Sequence, residues 1–244
     1  MSAKFSRQFL TALGRWWSEQ TRQKGVAGAS SLLVRELWGF LRDSTPERRR
    51  QRYGDMDYDW EHHVNTTSGA VRWRERLLGV FHSAYQPTDP AAFREMMAAL
   101  PIRFEEFTFV DLGSGKGRTL LLASEYPFQR IVGVEILPEL HRVAEENIRT
   151  FREATGRGAQ MQTILADARD YEFLETPLVL YLFNPLPEAG LRRVIGRLEE
   201  SLRKVPRPVW IAYHNPVLES VLSTALMFEH AGRSEHYSLY RSTE

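Results

Sequence analysis

The sequence contains no cysteine, which excludes disulfides, thiolate zinc sites and cysteine nucleophiles. It also lacks any apolar run approaching the roughly twenty residues needed to cross a bilayer. Its first apolar stretch, MSAKFSRQFLTALGRWW, is broken by Arg7, Gln8 and Arg15, so neither a spanning helix nor a secretion signal is expected, and a cytoplasmic location is. There is no internal repeat and no low-complexity stretch. His62 and His63 are adjacent, so they cannot both face one metal ion, and no third ligand has suitable spacing; a metal site is not expected.

Charge of one sign is missing overall, with a net +1 over 244 residues, yet it is unevenly spread. Residues 1–52 carry eleven Lys and Arg against four Asp and Glu, a balance of +7, and the remainder is −6. The second figure argues against a generally basic surface for nucleic acid, while the front segment suits an acidic partner. A chain of this length buries a sizeable core, as one domain or as one domain with an appendage.

Helical spacing of Phe5, Phe9, Leu10, Leu13, Trp16 and Trp17, and again of Leu32, Leu33, Leu37, Phe40 and Leu41, predicts two helices in a basic extension over 1–52. KGVAGASS between them reads as a turn, and Asp43-Ser44-Thr45-Pro46 ends the second helix. With Lys4, Arg7 and Arg15 beside Trp16 and Trp17, this extension is a cover over the site, a membrane-surface helix or a docking arm for an acidic partner. Packing against the domain is the expectation. Residues 53–90 read as a connecting and covering segment, a loop leading into a helix near Val71 to Phe81.

From residue 91 to 244 the pattern is regular. Helices at about 91–100, 118–124, 138–152, 187–204 and 217–226 alternate with the apolar strands FTFVDL, RIVGVEI, MQTILADA, PLVLYLF and VWIAYH. Short apolar strands alternating with helices imply an α/β fold with a mostly parallel sheet covered on both faces. MFEH and HYSLYR, on either side of Ala231-Gly232-Arg233-Ser234, read as a closing antiparallel hairpin at the sheet edge.

The informative stretch is FVDLGSGKGR, a strand, a glycine turn and a helix start. A dinucleotide fingerprint needs a glycine where Arg118 stands, and a P-loop needs Ser or Thr where Gly117 follows Lys116. Neither phosphate-binding reading fits; a tight turn with no ligand is the bland alternative. Twenty residues beyond Gly115, Glu135 ends the next strand, where a carboxylate can accept from both hydroxyls of a ribose.

The Asp-x-Gly-x-Gly-x-Gly loop, its position and the alternation that follows resemble the class I S-adenosylmethionine-dependent methyltransferases, over about two thirds of the chain. The resemblance implies a Rossmann-like seven-stranded sheet and S-adenosyl-L-methionine as cofactor. It implies that Gly113, Ser114, Gly115 and Gly117 make room for the methionine part and ribose. Asp111 would meet the cofactor's ammonium group, often through water, and Glu135, followed by Ile136, the ribose. At the end of the third strand, Asp167 would accept from the adenine amine, with the backbone N–H of Ala168 reaching a ring nitrogen.

Phe183-Asn184-Pro185-Leu186-Pro187 resembles the Asn-Pro-Pro-aromatic loop of amine methyltransferases, in which the Asn holds the acceptor's N–H groups beside the cofactor. No aromatic follows here, which disfavours flat acceptors; a strand-ending turn is the plain alternative. Ser83-Ala84-Tyr85-Gln86-Pro87-Thr88 resembles the cofactor-covering loop of the non-SET histone-lysine methyltransferases of the disruptor-of-telomeric-silencing type. That family has Gly-Glu after the tyrosine and no lysine at position 116. Tyr85 and Thr88 are thus candidate cofactor contacts, or residues that cap and pack the helix near Pro90. Tyr213, His214 and Asn215 end the fifth strand on the rim where acceptors approach, with His214 or Tyr213 as a candidate proton acceptor or a simple strand end. The expected function is methyl transfer to an aliphatic amine such as a protein lysine. The alternatives are a small-molecule N- or O-methyltransferase, a non-catalytic cofactor-binding module and an NAD-dependent oxidoreductase.

Overall fold

The computed structural model describes residues 21–22, 25–26, 28, 30–31, 56–66 and 87–243. The two front helices over 5–17 and 32–41, the helix near Val71 to Phe81 and Tyr85 lie outside the described residues. The chain forms two compact units, one of residues 1–56 and 68–86, the other of residues 57–67 and 87–244. In the first, Gly25, Val26, Gly28, Ser30 and Ser31 are helical, where the sequence reading has a turn. Ser30 is accommodated by donating its hydroxyl to the Val26 carbonyl at 2.9 Å, four residues back.

α1 (Met56–His62), all but its first residue in the second unit, forms in a stretch read as loop. α1 is short and polar, and packing creates it: the His62 ring stacks between Tyr58 and Phe151, and Tyr58 lies under the Arg118 guanidinium. α2 (Pro90–Ala98) starts where Asp89 accepts the Ala92 N–H at 2.8 Å, with proline at the first helical position. Then come β1 (Thr108–Leu112), α3 (Arg118–Ala123), β2 (Arg130–Glu135), α4 (Pro138–Thr155) and β3 (Met161–Leu165). They are followed by β4 (Leu178–Leu182), α5 (Glu188–Lys204), β5 (Val209–His214), α6 (Glu219–Ser223), β6 (Phe228–Arg233) and β7 (Tyr237–Ser242).

The seven strands form one sheet in the order β3-β2-β1-β4-β5-β7-β6. The first five run parallel, and β7 is antiparallel to both β5 and β6. This is the expected Rossmann-like, mostly parallel sheet with its closing antiparallel hairpin. β1 and β4 are fully buried, as strands covered on both faces must be. Alternation sorts the side chains: Phe109, Ile131, Val179, Tyr181 and Ala212 face α2, α3 and α4, while Val110, Val132, Leu180, Ile211 and Tyr213 face α5.

Two boundaries differ from the sequence reading. Ala231-Gly232-Arg233, read as the hairpin turn, continue β6 through a bulge between His230 and Gly232, and the turn closes where the Ser234 N–H meets the Tyr237 carbonyl at 2.9 Å. The helix expected over 217–226 shrinks to α6. At its front, the Leu218 N–H donates to the Tyr213 hydroxyl at 3.2 Å; behind it, the N–H groups of Leu226 and Met227 both donate to Glu199, which draws the chain into β6. No described helix is long and apolar enough to cross a membrane.

Candidate functional site

The strand order reverses between β1 and β4, and in such a sheet the crevice lies at the carboxyl ends of those strands. The glycine loop after β1 occupies that place. Gly113, Gly115 and Gly117 have φ of +85, +55 and +83, a left-handed region that costs a side-chain-bearing residue energy. A Cβ on Gly113 would stand 2.9 Å from Pro185 after β4, and one on Gly117 would stand 3.2 Å from Ala144 of α4. The glycines therefore serve the turn and let two neighbouring elements close on it. The N–H groups of Gly113 and Ser114 both donate to the Val134 carbonyl, at 2.8 and 3.1 Å, fixing the loop to β2.

Glu135 ends β2 with its carboxylate turned into this loop. One oxygen accepts the Gly115 N–H at 2.8 Å and the other the Leu137 N–H at 2.8 Å. Burial raises its pKa, and these backbone donors oppose the rise. Each oxygen retains a lone pair for a ligand hydroxyl. Asp111 is more deeply buried: loss of solvent pushes its pKa up to about 7, the hydrogen bond from the Thr119 hydroxyl pulls it down, and the Glu135 charge pushes it up. The Ser114 hydroxyl is buried with no hydrogen-bond partner, an unusual cost for a native fold unless something completes it. Two buried carboxylates, an unpartnered hydroxyl and three left-handed glycines fit a ligand carrying a cation, a diol and a close-lying chain. S-adenosylmethionine has these features, and the loop N–H groups of Gly113, Ser114, Gly115 and Gly117 are already engaged within the protein.

The remaining expected residues are distributed around this centre. Ile136 stands partly exposed at the β2 tip. Asp167 caps the short helical turn Ala168–Asp170, accepting the Arg169 N–H at 2.9 Å, and pairs with the Arg169 guanidinium at 3.0 Å. An adenine amine would share this carboxylate with Arg169. Asn184 follows β4 with φ +47, and its amide is held at both ends: Oδ1 accepts the Tyr213 hydroxyl at 2.8 Å, and Nδ2 donates to the Asn215 carbonyl at 2.8 Å. Asn215 has φ +47 as well, so two asparagines in a sparsely populated conformation meet at the ends of adjacent strands, a form of strain that clusters at functional sites. Asn184 and Tyr213 are thus joined. His214 is not joined to them, because successive residues of a strand face opposite sides; its Nδ1 lies 2.7 Å from the Tyr181 hydroxyl, which is also 2.8 Å from the Thr88 hydroxyl. Burial, with the nearby His236, lowers the His214 pKa to about 4.

Three contributors escaped the sequence reading. Gly133, inside β2, lies where a Cβ would come within 2.6 Å of Ser114 Oγ and 2.7 Å of Leu120; an isolated glycine within a strand is a signal for such close approach. Tyr181 was hidden in an apolar run. Residues 59–66 clamp the back of the loop: Asn147 of α4 donates to the carbonyls of Lys116 and Asn65, both at 2.9 Å, and accepts the Asn65 N–H at 2.8 Å. Alongside, the buried Arg118 donates to Thr66 at 2.6 Å and pairs with Asp59 at 3.1 Å.

Residues 81–172, less than half of the chain, match the family model described as histone methylation protein DOT1. None of the curated proteins compared matches the chain. Among solved structures, an RNA methyltransferase from Salinibacter ruber in complex with S-adenosyl-L-homocysteine is similar at 22% identity and a TM-score of 0.43, over 65% of this chain and 93% of that one. A ribosomal protein L11 methylase from Lactobacillus delbrueckii subsp. bulgaricus is similar at 16% identity and a TM-score of 0.44, over 62% of this chain and 75% of that one.

Proposed function

We propose that the chain is an S-adenosylmethionine-dependent methyltransferase whose acceptor is an aliphatic amine, such as the side chain of a protein lysine. The observation that carries this reading is the meeting of the left-handed glycine loop with the Glu135 carboxylate at the end of β2. The match of residues 81–172 to the DOT1 model supports the choice of a lysine-type acceptor.

S-adenosylmethionine supplies a methyl group already activated as a sulfonium. The protein's task is then to orient donor and acceptor in line and to exclude water. Glu135 holds the ribose hydroxyls, Asp111 and Ser114 attend the methionine ammonium and carboxylate end, and Ile136 lines the adenine side. Asn184 and Tyr213 line one side of the acceptor rim, and His214 lines the other, backed by Tyr181 and Thr88. An Asn184 oxygen that already accepts from Tyr213 keeps one lone pair for an acceptor N–H. The amine arrives deprotonated, since an ammonium has no lone pair with which to attack. The balance of +7 over residues 1–52 suits an acidic partner.

The test is to incubate the protein with methyl-labelled S-adenosylmethionine and lysate of its source organism, then separate protein, nucleic acid and small molecules. Label on protein, removed by acid hydrolysis as methyl-lysine, is the expected result. Label confined to small molecules would overturn the lysine acceptor in favour of a small-molecule N- or O-methyltransferase.

A further inference from the structure

Thr88, Tyr181 and His214 form a buried string that links the residue before the Asp89 cap of α2, the penultimate residue of β4 and the last residue of β5. Thr88 Oγ1 lies 2.8 Å from Tyr181 Oη, which lies 2.7 Å from His214 Nδ1. Thr88 is 4%, Tyr181 1% and His214 8% exposed, so water does not compete freely for these groups. The rings are held in place. His214 stacks on Phe183 with centroids 4.2 Å apart, and Tyr181 lies among Phe93 and Phe109.

A phenol carries one proton, so the string has two self-consistent arrangements. In one, Thr88 donates to Tyr181 and Tyr181 to Nδ1; in the other, every donor and acceptor is reversed. A phenol is a better donor than an aliphatic alcohol, and a neutral imidazole nitrogen is a better acceptor than a hydroxyl oxygen, so the first arrangement makes the stronger pair. We infer that Tyr181 fixes His214 as the tautomer protonated on Nε2, so that at the acceptor rim His214 offers an N–H donor and not a lone pair. The ring stays neutral: burial disfavours its charge, His236 adds to that effect, and Asp89 at the start of α2 opposes it. Asp111 faces Tyr181 from the neighbouring strand.

His214 is then a specificity residue for an oxygen, a carbonyl or carboxylate carried by the methyl acceptor, and it does not take the proton of the amine. This inference rests on the reading of the strand ends as an acceptor rim. Its test needs no acceptor, so it fails separately from that reading.

Long-range 1H–15N spectra of the full chain labelled in histidine, with His214 assigned by His214→Gln, read the tautomer directly. The expected result is a protonated Nε2 and a bare Nδ1 from pH 5.5 to 8. Tyr181→Phe should mix the two tautomers and raise the titration midpoint by about one unit, because a hydrogen bond to the neutral form is lost. Thr88→Val, which leaves the Tyr181–His214 bond in place, should keep the Nε2-protonated form. A protonated Nδ1 in the unmodified chain would overturn the inference, as would a Tyr181→Phe spectrum identical to it. If Tyr181→Phe does not fold, the unmodified chain and Thr88→Val decide.

Discussion

The amide of Gly115 and the carboxylate of Glu135 are joined by a 2.8 Å hydrogen bond between residues twenty apart in the chain. The bond ties the loop after β1 to the tip of β2, and the Leu137 N–H on the other oxygen keeps the carboxylate from rotating. The acid is therefore oriented before any ligand arrives. Glu135→Ala should weaken S-adenosylhomocysteine binding by about 1–3 kcal/mol, through hydroxyls left poorly paired and a freed loop. Titration calorimetry, with circular dichroism to show an intact fold, measures it; an unchanged affinity would remove Glu135 from the site.

Asp111 makes both stability and binding depend on pH. Its folded pKa, about 7, lies above the ordinary aspartate value of 3.8, so between those values the folded state holds a proton that the unfolded state has released. Its contribution to stability therefore falls as pH rises from about 4 to 7, and recovers on acidification. A cationic ligand needs the ionised form, so S-adenosylmethionine affinity should fall as pH drops below 7. Asp111→Asn should flatten both trends; urea melts and calorimetry at pH 5.5 and 8 compare them. A binding trend that persists in Asp111→Asn would assign it to another group.

Gly133→Ala adds one carbon where Ser114 and Leu120 leave no space. Overpacking of this kind costs about 1–3 kcal/mol. The displaced Ser114 should also lower cofactor affinity. Equal stability and affinity in the alanine variant would show that the loop stands further from β2 than described.

Asp59 and Arg118 form an ion pair with side chains 10% and 2% exposed. Asp59→Ala leaves a buried guanidinium without this counter-charge, at a cost of roughly 3–5 kcal/mol. A urea denaturation series reads the loss directly, and a change under 1 kcal/mol would contradict the clamp formed by residues 59–66.

The parts of this site that were legible in the sequence are those that the backbone dictates. Left-handed glycines between a buried strand and a helix, and an acid at the tip of the next strand, leave a local trace in spacing. Asp167 was legible as a strand-end acid, but its pairing with Arg169 was not, since two neighbouring charges carry no sign of which groups they meet. Tyr181 was invisible for a different reason. In PLVLYLF it reads as core, and its polar partners, Thr88 and His214, lie 93 and 33 residues away. α1 was missed because its helix depends on Phe151 and Arg118 far along the chain, contacts to which local propensity is blind. The hairpin turn was misplaced because Gly232 looks like a turn residue and serves instead at a bulge in β6.

The claim on which the rest depends is that this loop and these carboxylates hold S-adenosylmethionine. Calorimetric titration of the full chain with S-adenosylmethionine, S-adenosylhomocysteine, NAD and ATP tests it directly. The account predicts saturable one-to-one binding of the first two and none of NAD or ATP. Tight binding of NAD with no signal from S-adenosylmethionine would contradict it.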